Sequence, residues 1–466
     1  MLFRSEYEDV VREAPLFVKG EEKGLSSLFA QSLSGGDGMS LLPTLLTGRY
    51  SPSRKLIDGI AESLAQAPVW TLLDEQRLAF DYVRGLVRSA APEGKKAVVL
   101  VMGGPGTGKS VIAAHLVVAL SREDRLRVCH ATGSKAFTTN LRAIAPRGGS
   151  AVFRYFNSFR HKAAHDGLDV LVCDEAHRIR KTSNDRFTPR RLKSEISQVR
   201  ELIRAARVSV FLLDERQNVR GDEIGTVSEI EEGADEEGVS VHKVALTAQF
   251  RCNGCAAYVD WIEKLVSDKP KPTGQWLTSG DYEFKVYDSP ASLESAIHER
   301  TSGLAGTSGR LVAGFCWPWS DPLEDGVLAD DVRIGKWKRP WNEKSREQTR
   351  SGGPSPRPDR HPYYLWATDP QRIREIGCIY STQGFEFDYC GVIMGRDLVW
   401  RGTSCWVGDK EASQDPAILR KGLEPDHVTA LLRHTYRVLL TRGIRGTYVY
   451  STDAETQSLL KSLIAK

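Results

Sequence analysis

Eight consecutive residues, Gly103-Gly104-Pro105-Gly106-Thr107-Gly108-Lys109-Ser110, carry the clearest chemistry in the chain. Glycines at this density let the backbone turn several N–H groups inward on a phosphate. The lysine and hydroxyl that follow are spaced to meet the β- and γ-phosphates and a Mg2+ ion. An apolar run, Ala97–Met102, feeds the loop, and a helical pattern (Val111, Ile112, Ala113, Leu116) leaves it. That strand–loop–helix context sets a helix N-terminus, with its partial positive charge, against the anion. Lys109 is therefore expected on the phosphates and Ser110 on the metal, with ATP and Mg2+ as the cofactors.

Hydrolysis also needs a carboxylate at the end of a neighbouring strand. The run Leu168–Cys173 ends in Asp174-Glu175-Ala176-His177. Asp174 is expected to hold Mg2+, directly or through water, and Glu175 to act as general base on the attacking water. His177 either couples the site to a neighbouring domain or caps a helix. A third run, Val208–Leu213, ends in Asp214-Glu215-Arg216-Gln217. From there Gln217 either contacts the γ-phosphate or caps a helix.

These residues have to be held by a framework, and the chain reads as one. Strand-length apolar runs alternate with helical patterns from about residue 70: Ala97–Met102, Arg127–Ala131, Leu168–Cys173 and Val208–Leu213. Continuous apolar strands of this kind are buried on both faces, which predicts parallel sheets covered by helices, an α/β fold. A second series follows at Glu283–Tyr287, Arg310–Phe315, Glu375–Tyr380, Gly391–Gly395 and Thr447–Tyr450. Residues 338–372, rich in Pro and Arg, read as a mobile insertion in that series. The acidic stretch 221–238 reads as a solvated helix and loop. Residues 1–69 read as a small helical region, in which Leu56, Ile57, Ile60 and Leu64 form a packing stripe.

Composition excludes several classes. A chain of 466 residues is too long for one core, so two or three domains are expected. Its net charge of +4 confines any nucleic-acid surface to local basic patches. No apolar run approaches the roughly 20 residues that span a bilayer, and the charged N-terminal segment lacks a signal-peptide core. No membrane partner is expected. Eight cysteines in a chain this long make no disulfide framework, and Cys129, Cys173, Cys316, Cys378 and Cys390 read as buried thiols. The expected compartment is reduced and cytoplasmic. Cys252 and Cys255 have metal-ligand spacing without a second pair.

The ordered set of segments resembles a superfamily 1 helicase core, and specifically the Schlafen-type helicase family. The matching segments are Leu73–Gln76, the phosphate loop, Ala131–Phe137, Asp174–Arg178, Phe211–Gln217, Leu246–Cys252, Ala313–Trp319, Ser381–Asp388 and Tyr436–Arg445. The resemblance implies two tandem RecA-like P-loop domains, at 70–245 and 246–466, behind the helical region. It implies that Gln76 reads adenine, that Arg251 and Arg442 reach the γ-phosphate, and that Gln383, Gly384 and Glu386 lie at the junction of nucleotide and nucleic acid. Thr132, Ser134 and Lys135 match positions that touch a strand's phosphates, contacts that carry no sequence information. Trp317 and Trp319 are either base-stacking platforms or packing residues.

The implied activity is a nucleic-acid-dependent ATPase that translocates on or remodels single-stranded DNA or RNA, with a role in antiviral defence or repair. The alternative is an ATP-driven switch that controls a partner, such as a separate nuclease or defence-system subunit. The core is close to minimal. The gap between Phe137 and Asp174 is too short to hold the inserted domain of larger superfamily 1 helicases, so strand separation is less secure than ATP hydrolysis.

Overall fold

A computed structural model describes residues 27, 72, 74–93, 95–104, 106–145, 149–160, 166–184, 188–190, 193–247, 256–268, 275–276, 282–302, 307–323, 327–344, 365–402 and 405–464. Met1–Tyr50 and Ser51–Lys466 form separate compact units, and the architecture below belongs to the second. The stripe at Leu56–Leu64, Arg251, Cys252, Cys255 and Pro105 lie outside the described residues.

The first helix, α1 (Asp74–Glu93), buries Ala79, Phe80, Val83, Val87 and Ala90, which recur at helical spacing on one face. It leads into β1 (Ala97–Gly103), whose residues Val98–Val101 are completely buried. After the glycine loop come α2 (Lys109–Val118), β2 (Val128–Thr132), α3 (Lys135–Ile144), the short β3 (Phe153–Tyr155) and β4 (Leu168–Asp174). Helix α4 (Gln198–Ala205), β5 (Ala206–Leu213), α5 (Val227–Glu236) and β6 (Ser240–Leu246) complete this half. The strands form one parallel sheet in the order β3-β2-β4-β5-β1-β6. Apolar clusters cover both faces, which is why the central strands read as unbroken apolar runs. In this order β4, β5 and β1 are neighbours, so their carboxyl ends present Asp174, Asp214 and the glycine loop side by side. Parallel α/β sheets bind ligands outside that edge.

The second half holds α6 (Ala256–Leu265), β7 (Glu283–Val286), α7 (Pro290–Ser302), β8 (Gly309–Ala313) and an antiparallel pair, β9 (Val332–Ile334) with β10 (Trp337–Arg339). These are followed by β11 (Ile376–Gly377), α8 (Ile379–Thr382) and β12 (Phe387–Met394). A second antiparallel pair, β13 (Leu398–Arg401) with β14 (Cys405–Gly408), precedes α9 (Pro425–Leu440), β15 (Gly443–Ser451) and α10 (Ala454–Ser462). The second parallel sheet runs β11-β8-β12-β15-β7. Phe137, Leu141 and Val219 of the first half belong to the same buried cluster as Phe385, Leu431 and Tyr436 of the second, so the two sheets share apolar packing.

One local reading changes and two gain detail. The apolar run Glu375–Tyr380 is strand only at Ile376–Gly377. At Cys378 the backbone N–H bonds the Ser381 hydroxyl (2.9 Å) while the carbonyl accepts from Thr382 Oγ1 (2.7 Å), which starts α8. The Pro/Arg-rich stretch is anchored where it begins: Arg339 pairs with Glu294 at 2.6 Å, and Trp341 is fully buried. In the acidic stretch Glu223 is buried, accepting from the N–H groups of Val219 and Arg220. Cys129, Cys173, Cys378 and Cys390 are buried free thiols, and Cys316 is half-buried. Among the described residues no helix is long and apolar enough to cross a membrane.

Candidate nucleotide-binding site

The loop after β1 is shaped by residues that tolerate no larger neighbour. Gly108, the N-cap of α2, has φ +82°, and a Cβ there would stand 2.1 Å from Gln76 Nε2. Gln76 is buried at the start of α1, and its amide donates to Thr107 O at 3.1 Å. It therefore props the loop from behind. Lys109 folds back over the loop, its ammonium donating to the carbonyls of Gly103 and Gly104, both at 2.8 Å. A lysine over the cradle is placed to exchange those carbonyls for phosphate oxygens. Ser110 is half-buried in the first turn of α2.

Asp174 ends β4 with 1% exposure. Its Oδ1 accepts from Glu175 N at 2.9 Å. Oδ2 takes no hydrogen bond among the described residues, although His130 Nε2 lies 3.6 Å away. A buried, unbonded carboxylate oxygen beside a phosphate cradle suits a hard cation or its water, so the residues fit Mg2+.

Glu175 adopts a left-handed backbone, φ 54° and ψ 45°, a cost of roughly 1–3 kcal/mol for a side-chain-bearing residue that active sites commonly hold. His177 Nε2 lies 2.9 Å from its Oε2. Burial would push this carboxyl up. His177, then Arg442 and Lys109, override burial and hold it well below the usual range. Asp214 behaves alike: burial raises it, and Lys109 and Arg437 bring it down. Lys109 comes from the start of α2 in the first half and the arginines from the second half, so cations of both halves converge on one carboxylate edge.

Arg442 follows α9 and is buried, with Nε donating to Val438 O (2.9 Å) and Nη1 to Phe385 O (3.3 Å). Gln217 is buried, and its amide donates to Asp214 Oδ2 at 2.8 Å. Gln383 is buried too, and its Nε2 reaches Gln217 O at 3.5 Å. Beside it Gly384 has φ +87°, and a Cβ there would sit 3.2 Å from the Phe137 ring. Glu386 is half-buried just before β12.

A model of the Schlafen group 3 DNA/RNA helicase domain matches residues 96–453. The chain belongs to this family. It is 25% identical over 442 residues to "Uncharacterized protein YPL245W" of Saccharomyces cerevisiae, covering 84% of this chain and 90% of that one. Solved structures with partial likeness include the Pif1 helicase from Candida albicans (14% identity, TM-score 0.27, 51% of this chain and 56% of that one). A DNA replication initiation factor matches at 15% identity and TM-score 0.22, over 43% and 53% of the two chains. The chain thus spans about half the length of the solved structures it matches.

Other expected residues of this Schlafen group 3 chain lie apart from the phosphate loop or are engaged internally. Thr132 Oγ1 accepts from Ser134 N (3.2 Å), and Ser134 Oγ caps α3 by accepting from Phe137 N (3.2 Å). Lys135 is exposed at that helix start. The half-buried Trp317 and Trp319 donate their indole N–H groups to Arg333 O (3.0 Å) and Asn342 O (2.8 Å) and pack on Trp341. Among the described residues no cluster of three or more His, Cys, Asp or Glu could hold a metal.

Three functional candidates escaped the sequence reading. Arg437 is buried; it pairs with Glu263, donates to Arg216 O at 2.8 Å and lies 3.9 Å from Asp214 Oδ2. His434 Nδ1 donates to Asn218 O at 2.8 Å. His130 faces Asp174, with its ring against Phe153. For Arg437 there was a signal: it is the lone cation in the run Thr435–Leu440, where a buried charge requires a partner.

Proposed function

We propose that this chain is a nucleic-acid-dependent ATPase of superfamily 1 helicase type, built from two RecA-like halves at about 70–245 and 246–466 behind an N-terminal region of about 69 residues. The observation that carries the reading is geometric: Lys109 lies over the Gly103 and Gly104 carbonyls beside a buried Asp174 Oδ2 that takes no hydrogen bond among the described residues, and against burial His177, at 2.9 Å, then Arg442 of the other half and Lys109 keep the neighbouring Glu175 carboxyl below its usual range.

In this reading ATP lays its phosphates on Gly103–Ser110, and Lys109 exchanges the Gly103 and Gly104 carbonyls for phosphate oxygens. Mg2+, when bound, neutralises phosphate charge, and Ser110 and Asp174 would hold it. Glu175 accepts the proton of the attacking water, with Gln217 orienting from the adjacent strand end. Arg442, together with Arg251, neutralises the charge that develops on the transferred phosphoryl group. Gln76 fixes the loop and borders the adenine side. A strand of DNA or RNA lies across the Thr132–Lys135 turn and the Trp317–Trp319 segment, held chiefly by its phosphates.

Turnover of ATP with and without single- and double-stranded DNA and RNA tests the proposal. Stimulation by at least one of them is expected. Absence of both stimulation and binding with all four would refute it.

A further inference from the structure

A cavity of about 670 Å3 opens between the turn after β5, the carboxyl half of α6 and the middle of α9. None of its lining comes from the phosphate loop. Its cations come from both halves: Arg216 from the first, and Lys264, Arg433 and Arg437 from the second. Arg437 is already satisfied by Glu263 and Arg216 O.

The other three lack a close carboxylate of their own. The Arg433 side chain is 15% exposed, and its Nε is buried without a hydrogen bond among the described residues. Its one ion-pair partner among them is Asp268, 3.9 Å away and 81% exposed, too wet to compensate a buried guanidinium. Arg216 is 71% exposed, and its carboxylate neighbour, Glu263 at 3.7 Å, is held by Arg437. Lys264 is exposed and its ammonium takes no hydrogen bond or ion pair among the described residues. Burial acts on Arg433 as expected for a cation short of its counter-ion, lowering its pKa.

A guanidinium fork and an ammonium facing one cavity fit a phosphate. The volume is that of a small-molecule site rather than a bare-anion site. Asp260, which also lines it, offers an acceptor for sugar hydroxyls. We propose that this cavity binds a phosphorylated sugar, either a nucleoside phosphate or the sugar–phosphate backbone of a strand, with Arg433 and Lys264 on the phosphate. Such a ligand would bridge the halves beside Arg437 and so report to Asp214. The site goes beyond the function proposed above and stands whether or not the phosphate loop hydrolyses ATP.

The test counts ADP sites per chain by equilibrium dialysis and measures binding of oligo(dT), in the wild type and in an Arg433→Gln/Lys264→Gln double variant. If the occupant is a nucleoside phosphate, the wild type binds two ADP. The double variant then binds one, at unchanged phosphate-loop affinity, and the second site weakens by about tenfold or more per cation removed. If it is a strand, ADP binds once in both, while oligo(dT) weakens and the salt slope of its binding falls by about 1.4. One ADP in both with equal oligo(dT) binding overturns the proposal. Lys264→Gln alone changes an exposed residue and gives the same readout in half measure, independently of any folding defect at Arg433.

Discussion

Arg437→Gln tests whether the two sheets act on one nucleotide. The guanidinium lies 3.9 Å from Asp214 Oδ2, with side-chain exposures of 3% and 4%. At an effective dielectric of about 20 the bare Coulomb term at that distance is about 4 kcal/mol. Asp214 keeps Lys109 and the Gln217 amide as alternative partners, which offsets much of the loss. A double-mutant cycle of Arg437→Gln with Asp214→Asn should therefore give a coupling of about 1–2 kcal/mol. The single variant also strands Glu263, but at 24% exposure this carboxylate can rehydrate. Its stability cost should be about 2–3 kcal/mol, below the roughly 3–5 kcal/mol of a fully buried broken pair. Urea unfolding followed by tryptophan fluorescence reads both quantities. ATPase kinetics and ADP binding read the function. Turnover should fall by about tenfold or more, while ADP affinity changes by less than about threefold, because the loop contacts all lie in the first half. Additivity within about 0.5 kcal/mol, or ADP affinity falling in step with turnover, would refute the reasoning.

Glu175→Gln should bind ATP and fail to turn it over, with a loss of about 10²–10⁴-fold, checked by filter binding against single-turnover hydrolysis; wild-type turnover would remove Glu175 as the base. Gly108→Ala places a Cβ 2.1 Å from Gln76 Nε2 at φ +82°, so nucleotide affinity should fall by about tenfold or more, and Gln76→Ala in the same chain should restore part of it by vacating the space. Burial, with Arg437 and Arg433, lowers the pKa of His434 below its unfolded value of about 6.5. The unfolded state then binds the extra proton, so stability is present above about pH 6.5 and drops as pH falls through that value toward the folded pKa. Thermal melts at pH 7.5 and 5.5 should show a larger loss for the wild type than for His434→Gln, and equal losses would contradict the shift.

How much of this was legible depended on which physical signal each feature leaves. Parallel strands buried on both faces leave unbroken apolar runs, and β1, β4, β5, β8, β12 and β15 fell where such runs stand. The phosphate loop was legible because its backbone geometry demands glycine, as Gly108 shows. Short or half-exposed strands left no such trace: β3 has three residues, and in β6 Leu246 alone is buried. The strands of the pairs β9–β10 and β13–β14 have only three and four residues each. Strand order could not be read at all, because nothing in the sequence says that β5 lies between β4 and β1. That order is what sets Asp214 beside the loop and turns a third strand end into part of the site.

The joint between the halves was the least legible feature, and the reason is chemical. Three consecutive backbone carbonyls accept donors from the second half: Arg216 O from Arg437 (2.8 Å), Gln217 O from Gln383 (3.5 Å) and Asn218 O from His434 (2.8 Å). A carbonyl is offered by every residue, so no side-chain pattern in the accepting turn announces the contact. The same turn begins with Asp214 and carries Gln217, so the second half sets where those side chains stand relative to Lys109. At about 1 kcal/mol net per hydrogen bond, with the long contact counting least, the polar joint stabilises this arrangement by about 2–3 kcal/mol. Its three donors lie within eight residues of Arg442 or on the segment that leads into β12, so these hydrogen bonds add orientation to the apolar packing that the halves already share.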